Sequence, residues 1–135
     1  KNAMEANLAL WKNKKANKVA WKRLSTARKL LAKNEAHTAF YEEISKALWL
    51  YLSDKLNIPL SVLTKENIAE KLRSKNISEE QISRLHGLLS ECEMALYSPG
   101  GGQQQRSHTL DAAFELIGSL ENELHKNKNI ITHAS

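Results

Sequence analysis

A chain of 135 residues, 41% hydrophobic and 26% charged, can bury one core of ordinary size, so a single domain is expected and neither a metal nor disulfides are needed to hold it. The lone Cys92 excludes an internal disulfide and fits a reducing compartment, which favours the cytoplasm. The net charge of +5 is unevenly placed: residues 1–33 hold ten Lys/Arg against the single Glu5, a net of +9, whereas residues 34–135 hold ten against fourteen acids, a net of −4. That split argues for an electrostatic docking element on a mildly acidic body, and against a uniformly basic protein that coats nucleic acid.

Asn2-Ala3-Met4 has the look of a cleaved expression tag, so residues 1–4 read as a scar and native sequence is expected to begin near Met4 or Glu5. On that reading the chain is a piece of a longer protein, cut just after a membrane segment. Its own longest apolar run, Ala47 to Leu52, has six residues, far short of the roughly 20 that a spanning helix needs, so this piece is expected to be soluble.

Repeated spacing of apolar residues by three and four, with only two prolines, predicts an all-α bundle of about five helices. The first runs from about Asn7 to Lys33, within the basic segment 5–33. Ala16, Ala20, Leu24, Ala27 and Leu31 form one stripe, and Lys15, Lys18, Lys22, Lys29 and Lys33 fall on the opposite side. These five lysines are the candidate basic docking face. Trp11 falls among lysines, as an interfacial helix would place it, although the body or a second protein could equally cover it.

The helical body is expected over 34–126. Its first helix, about Ala36 to Leu56, carries Phe40, Tyr41, Ile44, Ala47, Leu48, Trp49, Tyr51 and Leu52, an apolar surface too broad for one contact, so it belongs at the bundle centre. Asn57-Ile58-Pro59 ends it, because proline lacks the amide donor and disfavours helix in the residue before it.

Leu63-Thr64 with Ile68, and Ile77-Ser78 with Ile82, are two hydrophobic staples around hydroxyl N-caps. They predict helices over Lys65–Lys75 and Glu79–Tyr97, the second with a Ser78/Gln81 capping box and a buried stripe of Ile82, Leu85, Leu89, Cys92 and Leu96. Ser98 to Gln105, with Pro99, three glycines and three glutamines, predicts a mobile loop. The last helix is expected from near Ser107, with Leu110, Ala113, Phe114, Ile117, Leu120 and Leu124 on one face, before a frayed polar tail over 127–135.

No catalytic set emerges. His37, His86, His108, His125 and His133 lack metal-ligand spacing, Cys92 falls in an apolar stripe where a packed thiol is expected, and Glu91 and Glu93 point to different helix faces. Gly100-Gly101-Gly102 ahead of Arg106, Ser107 and Thr109 faintly suggests an anion cradle, yet no strand precedes it and no Gly-Lys-Ser/Thr follows. The expectation is a protein that is not an enzyme and carries no cofactor and no metal. The third and fourth helices invite a helix-turn-helix reading, and a nucleic-acid-binding module is the alternative function. Glu79 and Glu80 at the end that should meet phosphates weigh against it.

The middle segment carries a resemblance. Phe40-Tyr41-Glu42-Glu43, the run Ala47-Leu48-Trp49 through Tyr51 to Ile58-Pro59, Leu63-Thr64 with Asn67-Ile68, and Cys92-Glu93 with Ala95, Tyr97, Ser98 and Pro99 closely resemble the C-terminal region of BatD-type Bacteroides aerotolerance (oxygen tolerance) proteins, over most of residues 14–124. Leu96 departs from the family's frequent arginine. The resemblance implies a secreted β-rich N-terminal part, one transmembrane helix and this helical piece after it, on the cytoplasmic face of the inner membrane. It also implies a membrane assembly with von Willebrand factor A-type proteins, a tetratricopeptide-repeat protein and a MoxR-type ATPase as partners, and it brings no catalytic residues. A +9 segment directly after a spanning helix is what the positive-inside rule predicts, and an anionic lipid surface is a further partner that segment could meet.

Overall fold

The computed structural model describes the backbone of residues 15–33, 37–97 and 102–134, and side chains over 18–33, 37–97 and 102–125. These form five α-helices and no strand: α1 (Lys15–Lys33), α2 (His37–Leu56), α3 (Lys65–Ser74), α4 (Glu79–Tyr97) and α5 (Gln103–Ala134), with a 3-10 turn over Leu60–Val62. The all-α bundle read from periodicity is the fold found. Asn7 to Lys14 with Trp11, residues 34–36 and the Ser98–Gly101 part of the expected loop lie outside the described residues.

The broad apolar surface of α2 explains the topology. Phe40, Tyr41, Ile44, Ala47, Leu48, Tyr51, Leu52 and Leu56 are all buried, and α2 is the helix that packs against all four others. α1 and α4 each pack on both α2 and α5 but do not touch one another among the described residues, so the four long helices close a bundle with α1 and α4 on opposite sides. α3 is held against α2 and α4, through Ile68, Ala69 and Leu72.

Both asparagine turns are helix stops of one kind. Asn57 and Asn76 take the left-handed conformation, with φ of 56° and 63°. The amide after each reaches back five residues, Ile58 to the Ser53 carbonyl at 3.1 Å and Ile77 to that of Leu72 at 3.0 Å, which satisfies carbonyls the helix leaves unpaired. Asparagine tolerates this backbone better than other non-glycine residues.

The two N-caps part ways. Thr64 and Asn67 exchange a full capping box, at 3.0 and 2.9 Å. The predicted Ser78/Gln81 box is corrected: Gln81 gives Ser78 only a long 3.4 Å amide contact, and its own amide oxygen is buried without a hydrogen-bond partner. The reciprocal group is Glu123 of α5, which accepts from the Ser78 amide at 2.9 Å and from its hydroxyl at 3.1 Å. A carboxylate delivered from another helix outcompetes a neutral amide on the same one.

α5 is longer than predicted at both ends. It begins at Gln103, not Ser107, and its backbone stays helical to Ala134 where a frayed tail was expected from Asn127. Glutamine is a good helix former once the glycines are passed. Gln103 also donates to the Leu31 carbonyl at 3.2 Å, capping the end of α1, and Gln105 donates to Glu91 at 3.1 Å. α3 closes one residue early, at Ser74, with Lys75 as its C-cap.

Candidate docking surfaces

The α1 stripe decides where its lysines go. Ala20, Leu24 and Ala27 are buried and Leu31 is half-buried, with α1 laid along α2 and α5. Trp21 meets the Phe114 ring edge-on with centroids 5.3 Å apart, and the Arg28 guanidinium covers the same ring at 4.9 Å. Arg23 pairs with Glu43 at 3.5 Å. Those arginines fasten α1 to the body and leave the opposite face to solvent.

On that face Lys18, Lys22, Lys29 and Lys33 are exposed. None has a carboxylate within ion-pair distance among the described residues. Lys18 to Lys33 spans 15 residues, about 22 Å at 1.5 Å per residue, so four charges stand in a row along one edge of the molecule. Lys15 lies at the first position of α1, and its side chain is outside the described set.

The residues that carry the family resemblance, as far as they are described, are scattered over α2, the turn after it and α4. Phe40, Tyr41, Tyr51 and Cys92 are buried, Trp49 is half-buried and Pro59 is exposed. Glu93 pairs with Lys65 at 2.7 Å, bracing α3 against α4. Tyr97 is 88% exposed beyond the last turn of packing, and Pro99 lies outside the described residues.

Cys92 is fully buried, and burial, helped by nearby Glu91, pushes its thiol up to about 12. It is a packing group, inert as a nucleophile at neutral pH. His86 contacts the Lys65 carbonyl at 3.1 Å, while His37, His108 and His125 are exposed. Among the described residues no three His, Cys, Asp or Glu side chains converge as a metal site would require, and no helix is long and apolar enough to cross a membrane.

Two polar sites inside the bundle were not anticipated. Glu121, 2% exposed, accepts from the Tyr51 hydroxyl at 2.5 Å and pairs with Lys55 at 2.8 Å. Burial and this carboxylate push the Tyr51 phenol well above its ordinary value. Nearer the other end, Thr109 donates to Glu91 at 2.8 Å beside buried Arg106 and Tyr41; burial raises the Tyr41 phenol and the Arg106 charge opposes the rise. A signal existed in each case. Glu121 continues the phase of Leu110, Phe114 and Ile117, and Arg106 and Thr109 that of Ala113 and Leu120, so polar groups stood on an apolar stripe.

No family model, curated protein or solved structure matches this chain.

Proposed function

We propose that this chain is a non-catalytic interaction module, the cytoplasmic helical part of a single-pass membrane protein of BatD-like kind. The α1 lysine row lies near anionic headgroups at the inner membrane, and the helical body recruits a further component of a membrane assembly. The components suggested by the resemblance are von Willebrand factor A-type, tetratricopeptide-repeat and MoxR-type ATPase proteins. The observation that supports it most is the row Lys18, Lys22, Lys29 and Lys33, exposed and without carboxylate partners among the described residues. The arginines of the same helix are spent on Phe114 and Glu43, which leaves a lysine face with no task inside the fold.

Each lysine near an anionic leaflet contributes on the order of 1 kcal/mol. Reversing all four to glutamate is therefore expected to weaken binding to phosphatidylserine vesicles by a factor of about 100 or more, with little change in helicity. Vesicle co-sedimentation of wild type and variant measures this, with zwitterionic vesicles as the control. Equal binding of the two proteins to anionic vesicles refutes the lipid half of the proposal. Pull-down with the three kinds of partner protein tests the other half.

A further inference from the structure

The connection between α2 and α3 reads Ile58-Pro59-Leu60-Ser61-Val62-Leu63, five apolar residues in six, and the fold buries none of them. Leu60 is 48% exposed and Val62 54%. The turn is nevertheless firmly built. The Val62 amide donates to the Pro59 carbonyl at 3.1 Å and the Leu63 amide to that of Leu60 at 3.3 Å. The Ser53 hydroxyl and the Asn67 amide group donate to the Ile58 and Val62 carbonyls, each at 2.7 Å.

The apolar surface continues past the loop. Ile58 and Pro59 line an open groove of about 560 Å³ together with Leu50 of α2 and Val19 of α1. Its apolar walls are accessible: Val19 is 45% exposed, Pro59 is exposed, and Leu50 and Ile58 are half-buried. Of the five exposed large apolar side chains among the described residues, Val19, Leu60 and Val62 belong to this groove or to the loop that leaves it, which makes a patch rather than scattered single residues.

Lysines border the patch. Lys18 is adjacent to Val19, and Lys22 is its neighbour on the helix surface three residues on; exposed Lys46 lies one turn before Leu50 on α2. None of these three has a carboxylate within ion-pair distance among the described residues. Lys12, Lys14 and Lys15 precede them in the chain. Against them stand two exposed acids, Asp54 in the groove and Glu66 just after the loop.

We propose that the Ile58–Leu63 loop and the Val19 groove enter the outer acyl region of an anionic bilayer, while the α1 lysines take its headgroups. An apolar surface edged by lysines is what a membrane-surface element presents. The amides of Ile58, Val62 and Leu63 and the carbonyls of Ile58, Pro59, Leu60 and Val62 are already bonded inside the fold, which lowers the cost of leaving water. This inference rests on the reading of α1 as a membrane-facing helix and goes beyond it, because headgroup attraction alone leaves the loop in water.

The test uses vesicles of phosphatidylserine and phosphatidylcholine and the full chain with a polarity-sensitive fluorophore at Leu60→Cys. The control carries it at Ser83→Cys, an exposed site on α4, across the bundle from α1; Cys92 is buried and escapes labelling. On the vesicles the Leu60 probe should shift to the blue and be quenched by lipids bearing a nitroxide high on the acyl chain, and the Ser83 probe should do neither. Leu60→Ser/Val62→Ser, at exposed sites that leave the core intact, should weaken binding about tenfold and make it fully reversible by salt. Wild type should keep part of its binding at high ionic strength, where headgroup attraction is screened. Asp54→Asn should strengthen binding about threefold or more. A Leu60 probe that stays in water while the protein binds, or undiminished binding of the double-serine variant, overturns the inference and leaves the headgroup role of α1 standing. Absence of any binding to these vesicles overturns both.

Discussion

Replacing Lys55 by methionine isolates the energetics of the buried Glu121 site. The substitution keeps the aliphatic stem and removes the ammonium that lies 2.8 Å from the carboxylate. Glu121 is 2% exposed, so water cannot take the place of the lost cation, and the Tyr51 hydroxyl at 2.5 Å remains as a donor. Removing one member of a buried ion pair costs about 3–5 kcal/mol. The Lys55 side chain is 22% exposed, which places the expected loss at the lower end, about 3 kcal/mol. With an unfolding entropy of about 2.1 cal/mol/K per residue, that is a fall in melting temperature of about 10 °C.

Glu121→Gln should cost less, about 1–2 kcal/mol, because an amide still accepts from Tyr51 and the freed ammonium can extend to solvent. The triple variant Tyr51→Phe/Lys55→Met/Glu121→Met, which removes the hydroxyl, the ammonium and the carboxylate together, should recover most of the loss. Urea unfolding followed by circular dichroism measures all three. If Lys55→Met changes stability by less than about 1 kcal/mol, the carboxylate is better solvated than its burial implies and the reasoning fails.

Alkaline pH probes the buried thiol and phenol. The folded value of Cys92 is raised from its ordinary value near 9 to about 12, so above pH 9 the unfolded chain sheds a proton that the folded chain keeps. Its contribution is fully present below pH 9 and is lost between 9 and 12, at a slope of about 1.4 kcal/mol per pH unit; Tyr51, also raised, adds to the fall above pH 10. Cys92→Ala should flatten the stability curve between pH 9 and 10, and an unchanged slope would refute the assignment. The helix stops give another test: Asn57→Ala and Asn76→Ala should each cost about 1 kcal/mol, and the glycine variants close to nothing, because a Cβ is penalised only where φ is positive. Equal effects of alanine and glycine in thermal melts would refute that account.

How far the sequence reaches can be judged residue by residue. Apolar periodicity located the buried stripes of α1, α2 and α4, since a helix repeats its faces every 3.6 residues whatever lies beside it. The same periodicity implied that α1 turns its lysines away from its stripe. It missed Leu88, which is buried in α4 beside the predicted stripe, because the width of a buried stripe depends on how many neighbours a helix has. The start of α5 was misjudged for a related reason. Glutamines beside a glycine run look like loop until their amides find Leu31 and Glu91 on other helices.

What the 135 residues determined alone was the class of fold, the division between basic and acidic parts, the central place of α2 and the helix stops at Asn57 and near Asn76, because each follows from local backbone chemistry or from one helix's own pattern. Tertiary structure decided the rest. Glu123 replaced Gln81 at the Ser78 cap, Lys55 and Tyr51 took charge of Glu121, and Gln103 came to cap the end of α1. Each depends on side chains separated by tens of residues, and their meeting is fixed by how whole helices pack, which no local pattern records.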